Sequence, residues 1–306
     1  MLSVSHSEGL LNRKRCEVRA MYDIEKNPSV LIIALKEFVK GYGSEKIYSL
    51  VSENDFDAVK CLEDVHSSVG ADSIDEKLML ADKLYQNNLK KGIGFISLLD
   101  RDFPDKLYAS DDKCIGLYYK GDRKLLNTKS VAVIGTRKPD NEFIEKGKIV
   151  VKRLVEGGFT IVSGLAIGSD AAAHRACLDA GGKTIAVLPS TCDVIYPSTN
   201  RKLADEIVAN GGLLVSEYTG DTNPAYNFVK RDRIQSFLSD AVIVIQANDN
   251  GGTRHAVFRS QKDGKYVCAI EGNNLTIVNN FINPYDDNLL NIVKKRNIST
   301  KQMKLF

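Results

Sequence analysis

From Val131 onward the chain repeats one unit, a short apolar run rich in β-branched residues followed by a turn and an amphipathic helical stretch. The runs are VAVIG before Glu142–Glu156, TIVSG before Asp170–Ala180, TIAVLP before Arg201–Ala209, LLVSE before Lys230–Leu238, AVIVIQ before Thr253–Asp263, and finally YVCAI. They are nearly continuously apolar and do not alternate, as strands do when both faces of a parallel sheet are buried. Such units connect with right-handed crossovers into an open sheet. The expected fold class is therefore α/β, an extended Rossmann-like, doubly wound and mostly parallel sheet over Val131–Glu271.

A chain of 306 residues has room for more than that sheet. Residues 1–26 read as a basic N-terminal segment, with Arg13, Lys14 and Arg15. Residues 27–92 carry helical patterns (VLIIALKEFVKGYG, EKIYSLV, DEKLMLADKLYQNNLKK) and form an expected small helical domain ahead of the sheet. Residues 93–272 are expected to hold the Rossmann-like domain with a connector, GIGFISLLDRDFPDKLYASDDKCIGLYYKGD, that leans on the first strand of the sheet. Residues 273–306 read as a C-terminal tail that includes Lys294, Lys295 and Arg296.

Composition narrows the function classes. The longest apolar runs fall far short of the ~20 residues that cross a bilayer. The first residues also lack a secretory pattern, so a cytoplasmic protein without membrane association is expected. The six cysteines contain no C-x-x-C pair, which argues for reduced thiols over a zinc knuckle or a disulfide framework. No metal and no cofactor are expected. A net charge of +3 is too weak to attract a polyanion by itself, so any such ligand needs a local cluster of cations.

In open α/β sheets ligands lie beyond the carboxyl ends of the strands, which makes the loops after each strand the candidate site. The first strand ends in Gly135, Thr136, Arg137 and Lys138: a glycine for close backbone approach, a hydroxyl and two cations. This matches neither G-x-G-x-x-G nor G-x-x-x-x-G-K-[ST], the signatures of dinucleotide binding and ATP hydrolysis. The second strand ends in Ser163, Gly164, Leu165, Ala166, Ile167, Gly168, Ser169 and Asp170 and runs straight into a helix. That is the arrangement whose amides and dipole make an anion site, although N-capping and turn formation explain it equally simply. After the fourth strand come Asn227, Phe228, Lys230, Arg231 and Arg233, an expected phosphate clamp with Phe228 and Tyr226 as stacking surfaces. After the fifth come Gly251, Gly252, Thr253, Arg254 and His255, again glycines opening a helix. Together these loops predict a shared phosphate-binding cleft.

At these residues the chain resembles the DNA-processing protein A (DprA/Smf) family of recombination mediators. The ordered motifs GTR, SGLAxGxDxAAHRxxL, GGKTIAVL, DxxYPxxNRxLAxxI, GGLLxSEY, NF and RxRIxxxLSDAVxVxxA recur over Ser130–Gly272. DRDFPDKL and LYYKGD resemble that family's approach to its first strand. The resemblance implies a homodimer that binds single-stranded DNA (ssDNA), helps load a RecA-type recombinase during DNA uptake, and performs no catalytic turnover. It implies phosphate contacts by Arg137, Arg231 and Arg233 and backbone cradling at Ser163 and Gly164. The sequence departs from the pattern at Ile167, where a basic residue is usual, at Asp232 for asparagine, at Val229 for proline, and at the Gly251–His255 turn. No winged helix, an appendage that some members carry, is expected in the C-terminal tail.

Two rival readings use the same loops. One is a binding protein for a free nucleotide or nucleotide signal. The other is a nucleoside monophosphate phosphoribohydrolase, whose PGGxGTxxE turn supplies a glutamate where this chain has Ala256; Asp170 or Glu217 would have to replace it. Asp170 and His174 stand four residues apart on one helix and superficially suggest an acid/base pair. Helix capping plus a satisfied structural histidine is the simpler expectation.

Overall fold

The computed structural model describes residues 24, 26–108, 112–220, 224–291 and 293. The chain divides into two compact units, one running to Phe103 and including 111–116, the other comprising 104–110 and everything from Leu117 onward.

The first unit is helical. Helix α1 (Ser29–Ile33) runs into a π-helical turn (Ala34–Phe38) and is followed by α2 (Ser44–Glu53), α3 (Ala58–Val69), α4 (Ala71–Lys90) and strand β1 (Gly94–Ser97). The Asp57 carboxylate accepts from the amides of Val59 and Lys60 and so starts α3. Gly70, at φ +96°, separates α3 from α4 in a conformation that L side chains avoid. Leu31, Ile33, Ile47, Val51, Ile74 and Leu78 are fully buried and make this unit's core. Asp100 ties its ends by accepting from the Ser29 hydroxyl and the Ser97 amide.

The second unit is the α/β sheet that the apolar runs predict. Its elements are α5 (Asp105–Tyr108), β2 (Gly116–Gly121), β3 (Ser130–Ile134), α6 (Asn141–Glu156), β4 (Thr160–Ser163), α7 (Ser169–Asp179), β5 (Thr184–Val187), α8 (Arg201–Ala209), β6 (Leu213–Ser216), α9 (Pro224–Leu238), β7 (Ala241–Val244), α10 (Thr253–Lys262), β8 (Tyr266–Ile270) and β9 (Phe281–Ile282). The strands of this unit lie in the order β2-β6-β5-β4-β3-β7-β8-β9. All are parallel except β2, which runs antiparallel to β6. Between the sheet and α6, Val131, Val133, Val150, Val151, Leu154, Ile243 and Cys268 pack with no solvent exposure. Among the described residues Cys61, Cys177, Cys192 and Cys268 are buried thiols outside any disulfide, and burial pushes Cys177 and Cys268 up to about 12.

Three expectations are corrected. The connector does not lean on β3, because β4 and β7 already occupy both of its edges; its strand β2 pairs with β6 instead. Strand β1, expected within the Rossmann-like domain of residues 93–272, belongs to the helical unit. The segment beginning at 273 is more than a tail: β9 extends the sheet, and the apolar Leu289 and Val293 join the buried cluster that includes residues of α6 and β8. Most of the basic N-terminal segment, with Arg13, Lys14 and Arg15, and the cations Lys294, Lys295 and Arg296 lie outside the described residues.

The motifs PDKL and LSDA meet at the amino ends of the strands, away from the predicted ligand edge. Lys106 pairs with Asp240 at 3.1 Å and donates to the Leu238 and Thr128 carbonyls, while Asp240 also accepts from the Ser130 amide. These polar residues hold the sheet together. Among the described residues no helix is long and apolar enough to cross a membrane, and no group of three or more His, Cys, Asp or Glu could hold a metal.

Candidate functional site

At the carboxyl edge of the sheet, the loops after β3, β4 and β7 and one face of α9 enclose a cleft of about 370 Å³. Of the predicted residues it gathers Gly135, Thr136 and Arg137, Ala166, Phe228 and Arg231, and Gly251, Gly252 and Thr253. Lys138, Ser163, Gly164, Gly168, Asn227, Lys230, Arg233 and Arg254 do not line it. The structure also places Asp170, Asp232, Gln235, Asn248 and His255 on the wall.

The floor is polar but internally satisfied. Arg231, 4% exposed, donates through Nη1 to the carbonyls of Gly164 and Val187 at 2.6 and 2.5 Å, and through Nε to Asp232 at 3.1 Å. It is an internal brace across the ends of β4 and β5, not the outward phosphate contact the sequence predicts. Gly164 is glycine for the same reason, since a Cβ there would sit 2.0 Å from that guanidinium. The amides of Gly164 and Ala166, expected to cradle an anion, instead face Asp170 Oδ2 at 3.2 and 3.4 Å. The loop supplies its own anion. Ser163 is likewise turned inward, its hydroxyl donating to the Val133 carbonyl at 2.7 Å.

The remaining glycines of this edge serve close packing. A Cβ on Gly135 would meet Ser169 Oγ at 2.4 Å, and one on Gly168, at φ +79°, would meet the Arg137 backbone at 2.5 Å. These contacts lock the first two loops together, and the Ser169 amide donating to the Thr136 carbonyl completes the lock. Asn200 of the YPxxNR motif supports the second loop from below by donating to the Leu165 carbonyl at 2.8 Å, where the backbone takes a positive φ of 56°. Asn227 donates to the Pro189 carbonyl at 2.9 Å, so its role too is to hold a loop.

Burial sets the charge states of the floor. It raises Asp170 to about 6, against the opposing pull of Arg231 and with a further push from Asp232. Asp232 is raised by burial as well, with Arg231 again the main opposing charge. His174, fully buried, is pushed down to about 3 by burial and by the positive charge of Arg231. Thr184 Oγ1 donates to the Ile161 carbonyl and therefore accepts from His174 Nδ1–H at 2.7 Å, which fixes the Nδ1–H tautomer of the imidazole that burial keeps neutral. Asp170 bonds loop amides and His174 bonds Thr184, so the two are not an acid/base pair.

The rim differs. Arg137 is exposed, with its guanidinium carbon 4.8 Å from the centroid of the Phe228 ring. Helix α9 turns ~100° per residue, so Phe228, Arg231, Asp232 and Gln235 share the cleft face while Arg233, two residues from Arg231, points ~200° away. Arg233 pairs with Glu217 at 2.8 Å, each side chain 11% exposed, and leaves the expected clamp. Lys138 and Lys230 are exposed outside the cleft, and Arg254 lies over Phe258 at 5.0 Å. The Tyr226 side chain lies outside the described residues. Across from Arg137, α10 opens at Gly252 without a side-chain cap, so its positive end meets the cleft. The sequence reading missed Tyr196, whose ring packs edge-on against Phe228 with centroids 5.7 Å apart. The aromatic in the YPxxNR motif was its only signal.

A family profile described as DNA recombination-mediator protein A matches residues 94–280. The chain is 40% identical over 177 residues to DNA processing protein DprA of Streptococcus pneumoniae, covering 58% of this chain and 62% of that protein. It is 36% identical over 171 residues to Protein Smf of Escherichia coli, covering 56% and 46%. The matches thus span less than two thirds of these relatives. The X-ray structure of the S. pneumoniae protein superposes with a TM-score of 0.65 at 30% identity, covering 86% of this chain and 91% of that one. A structure of DNA processing protein A from Helicobacter pylori, described as giving insight into its ssDNA binding mode, superposes with a TM-score of 0.58 at 31% identity, covering 66% and 96%. The profile covers more than half of the chain and the fold agrees with it, so the chain belongs to the DNA recombination-mediator protein A family.

Proposed function

We propose that this chain binds ssDNA along the carboxyl edge of its sheet and serves as a cytoplasmic recombination mediator, acting as a homodimer that helps load a RecA-type recombinase during DNA uptake. The observation that carries the reading is the rim: an exposed Arg137 held over Phe228 faces the uncapped positive end of α10, above a floor whose charges are already paired. A phosphate entering the cleft meets one free guanidinium and helix amides at Gly252 and Thr253, groups that read charge and not sequence. The H. pylori relative, whose description names ssDNA binding, supports the same ligand here. No catalytic turnover belongs to this reading.

A cleft of about 370 Å³ also suits a single nucleotide, which favours the free-nucleotide alternative as the second reading. The hydrolase alternative finds Ala256 on the wall and Asp170 engaged by amides, neither of which offers a carboxylate to a ribosyl carbon. Salt-titrated binding of oligonucleotides of increasing length, beside mononucleotides, separates the readings. Affinity is expected to rise with length and to fall with salt, and Arg137→Ala should flatten the slope of log affinity on log salt by ~0.7. Equal binding of a mononucleotide and a long oligomer would overturn the DNA reading.

A further inference from the structure

The cleft does not end at its own wall. Phe228 lines it, and on Phe228 rest both Arg137 and, on the loop between β5 and α8, Tyr196. The ring of Tyr196 is 47% exposed, and Val194 in the same loop is 61% exposed. Large apolar side chains left in water at this sheet edge need a reason.

Slackness of the loop is not that reason, because its residues 189–193 are anchored and Ile195, next to Tyr196, is buried at 7% exposure. Ser216 Oγ donates to the Ser190 carbonyl at 2.6 Å, Thr191 Oγ1 to Asp193 at 2.7 Å and Arg201 Nη1 to the Asp193 carbonyl at 2.6 Å. Asn227 holds Pro189 from α9. Tyr196 is therefore presented in a set orientation, with Phe228 meeting it at 61°. An aromatic ring fixed before its ligand arrives loses little entropy on stacking.

Its neighbours say what kind of ligand. The same Phe228 ring carries the Arg137 cation 4.8 Å from its centroid, so a phosphate site and an open aromatic face share one support. In the sheet order, β5 is separated from β3 by β4 alone, which places the Tyr196 loop ~10 Å along the edge from the Arg137 loop at the usual strand spacing. A ligand that pairs an anion with a flat ring at that distance is a nucleotide within a strand. We infer that Tyr196 is a nucleobase-stacking position, which carries the strand out of the phosphate cleft and over the β5–α8 loop. This rests on the ssDNA reading above and adds to it a base contact that phosphates alone would not require.

The chain contains no tryptophan, which makes a direct test available. Tyr196→Trp introduces the only indole, and its fluorescence is read while adding either a homopyrimidine oligonucleotide or an abasic oligomer of equal length. The base-containing oligomer is expected to quench it and the abasic one to leave it unchanged. In parallel, Tyr196→Ala should lower affinity for the base-containing oligomer about fivefold or more, leave the abasic oligomer's affinity and the salt slope unchanged, and be rescued by Tyr196→Phe. Length-dependent binding that persists with an unmoved indole signal, or a Tyr196→Ala variant that keeps the wild-type preference for bases, overturns the stacking position while leaving the phosphate reading intact. Absence of length-dependent binding by wild type overturns both.

Discussion

The floor and the rim of the cleft use the same chemistry to opposite ends. Arg231 and Arg137 are both arginines in loops that the sequence marks as anion-binding, yet one is 4% exposed and braces three partners while the other stands in water over an aromatic ring. A cation contributes to a ligand only what its own fold has left unspent. The floor's cations and amides are spent on Gly164, Val187, Asp232 and Asp170, so they hold the cleft's shape. The rim supplies the reach.

The sharpest way to break that comparison is Arg231→Ala. It would leave buried carboxylates at Asp170 and Asp232 unpaired, and about 3 to 5 kcal/mol of stability should be lost in denaturant titrations. A variant of unchanged stability with abolished oligonucleotide binding would show that Arg231 is a contact residue after all.

Next in size is pH. Asp170 moves from 3.8 to about 6 on folding, so the folded state holds its proton more tightly than the unfolded chain does. Its contribution is present below 3.8 and is lost as pH rises through 6, a difference of up to about 3 kcal/mol. Asp170→Asn, whose amide oxygen still accepts from Gly164, should not show that loss, as urea midpoints at about pH 5 and about pH 8 would reveal. His174 has the opposite sign: lowered from 6.5 to about 3, it contributes above 6.5 and loses that contribution as pH falls toward 3. Matching pH profiles for wild type and Asp170→Asn would mean that the floor is wetter than its geometry implies.

Smaller effects come from the arginines of the rim and beyond. Arg233→Ala removes an ion pair with Glu217 and should cost about 1 kcal/mol of stability with oligonucleotide affinity unchanged. Arg137→Ala should do the reverse, changing stability by less than about 0.5 kcal/mol while weakening binding. If the two variants behaved alike in binding, the distinction between spent and unspent cations would fail.

Much of this was legible before any fold was known. Six apolar runs with crossover helices announced the parallel sheet, since burial on both faces leaves a local and continuous pattern. Gly135, Thr136, Arg137 and the Gly251–Thr253 turn were placed in the cleft by strand-end position alone. Ser163, Gly164 and Arg233 were not, because glycines and cations look the same in sequence whether they serve a ligand or close packing. Phosphate contacts were expected of both Arg231 and Arg233, although helical spacing allows only one of them to face the cleft.

By itself the sequence determined the class of fold, the edge at which the cleft opens and the residue types that meet there, all of which follow from periodicity and from where strands end. Only the tertiary structure decided which charges remain available. Arg231 is consumed by carbonyls 67 and 44 residues away, and Tyr196 on its loop gains support from a ring on helix α9. No local pattern encodes such partners, because hydrogen-bond satisfaction and burial are settled by segments that meet only after the sheet has closed over its core.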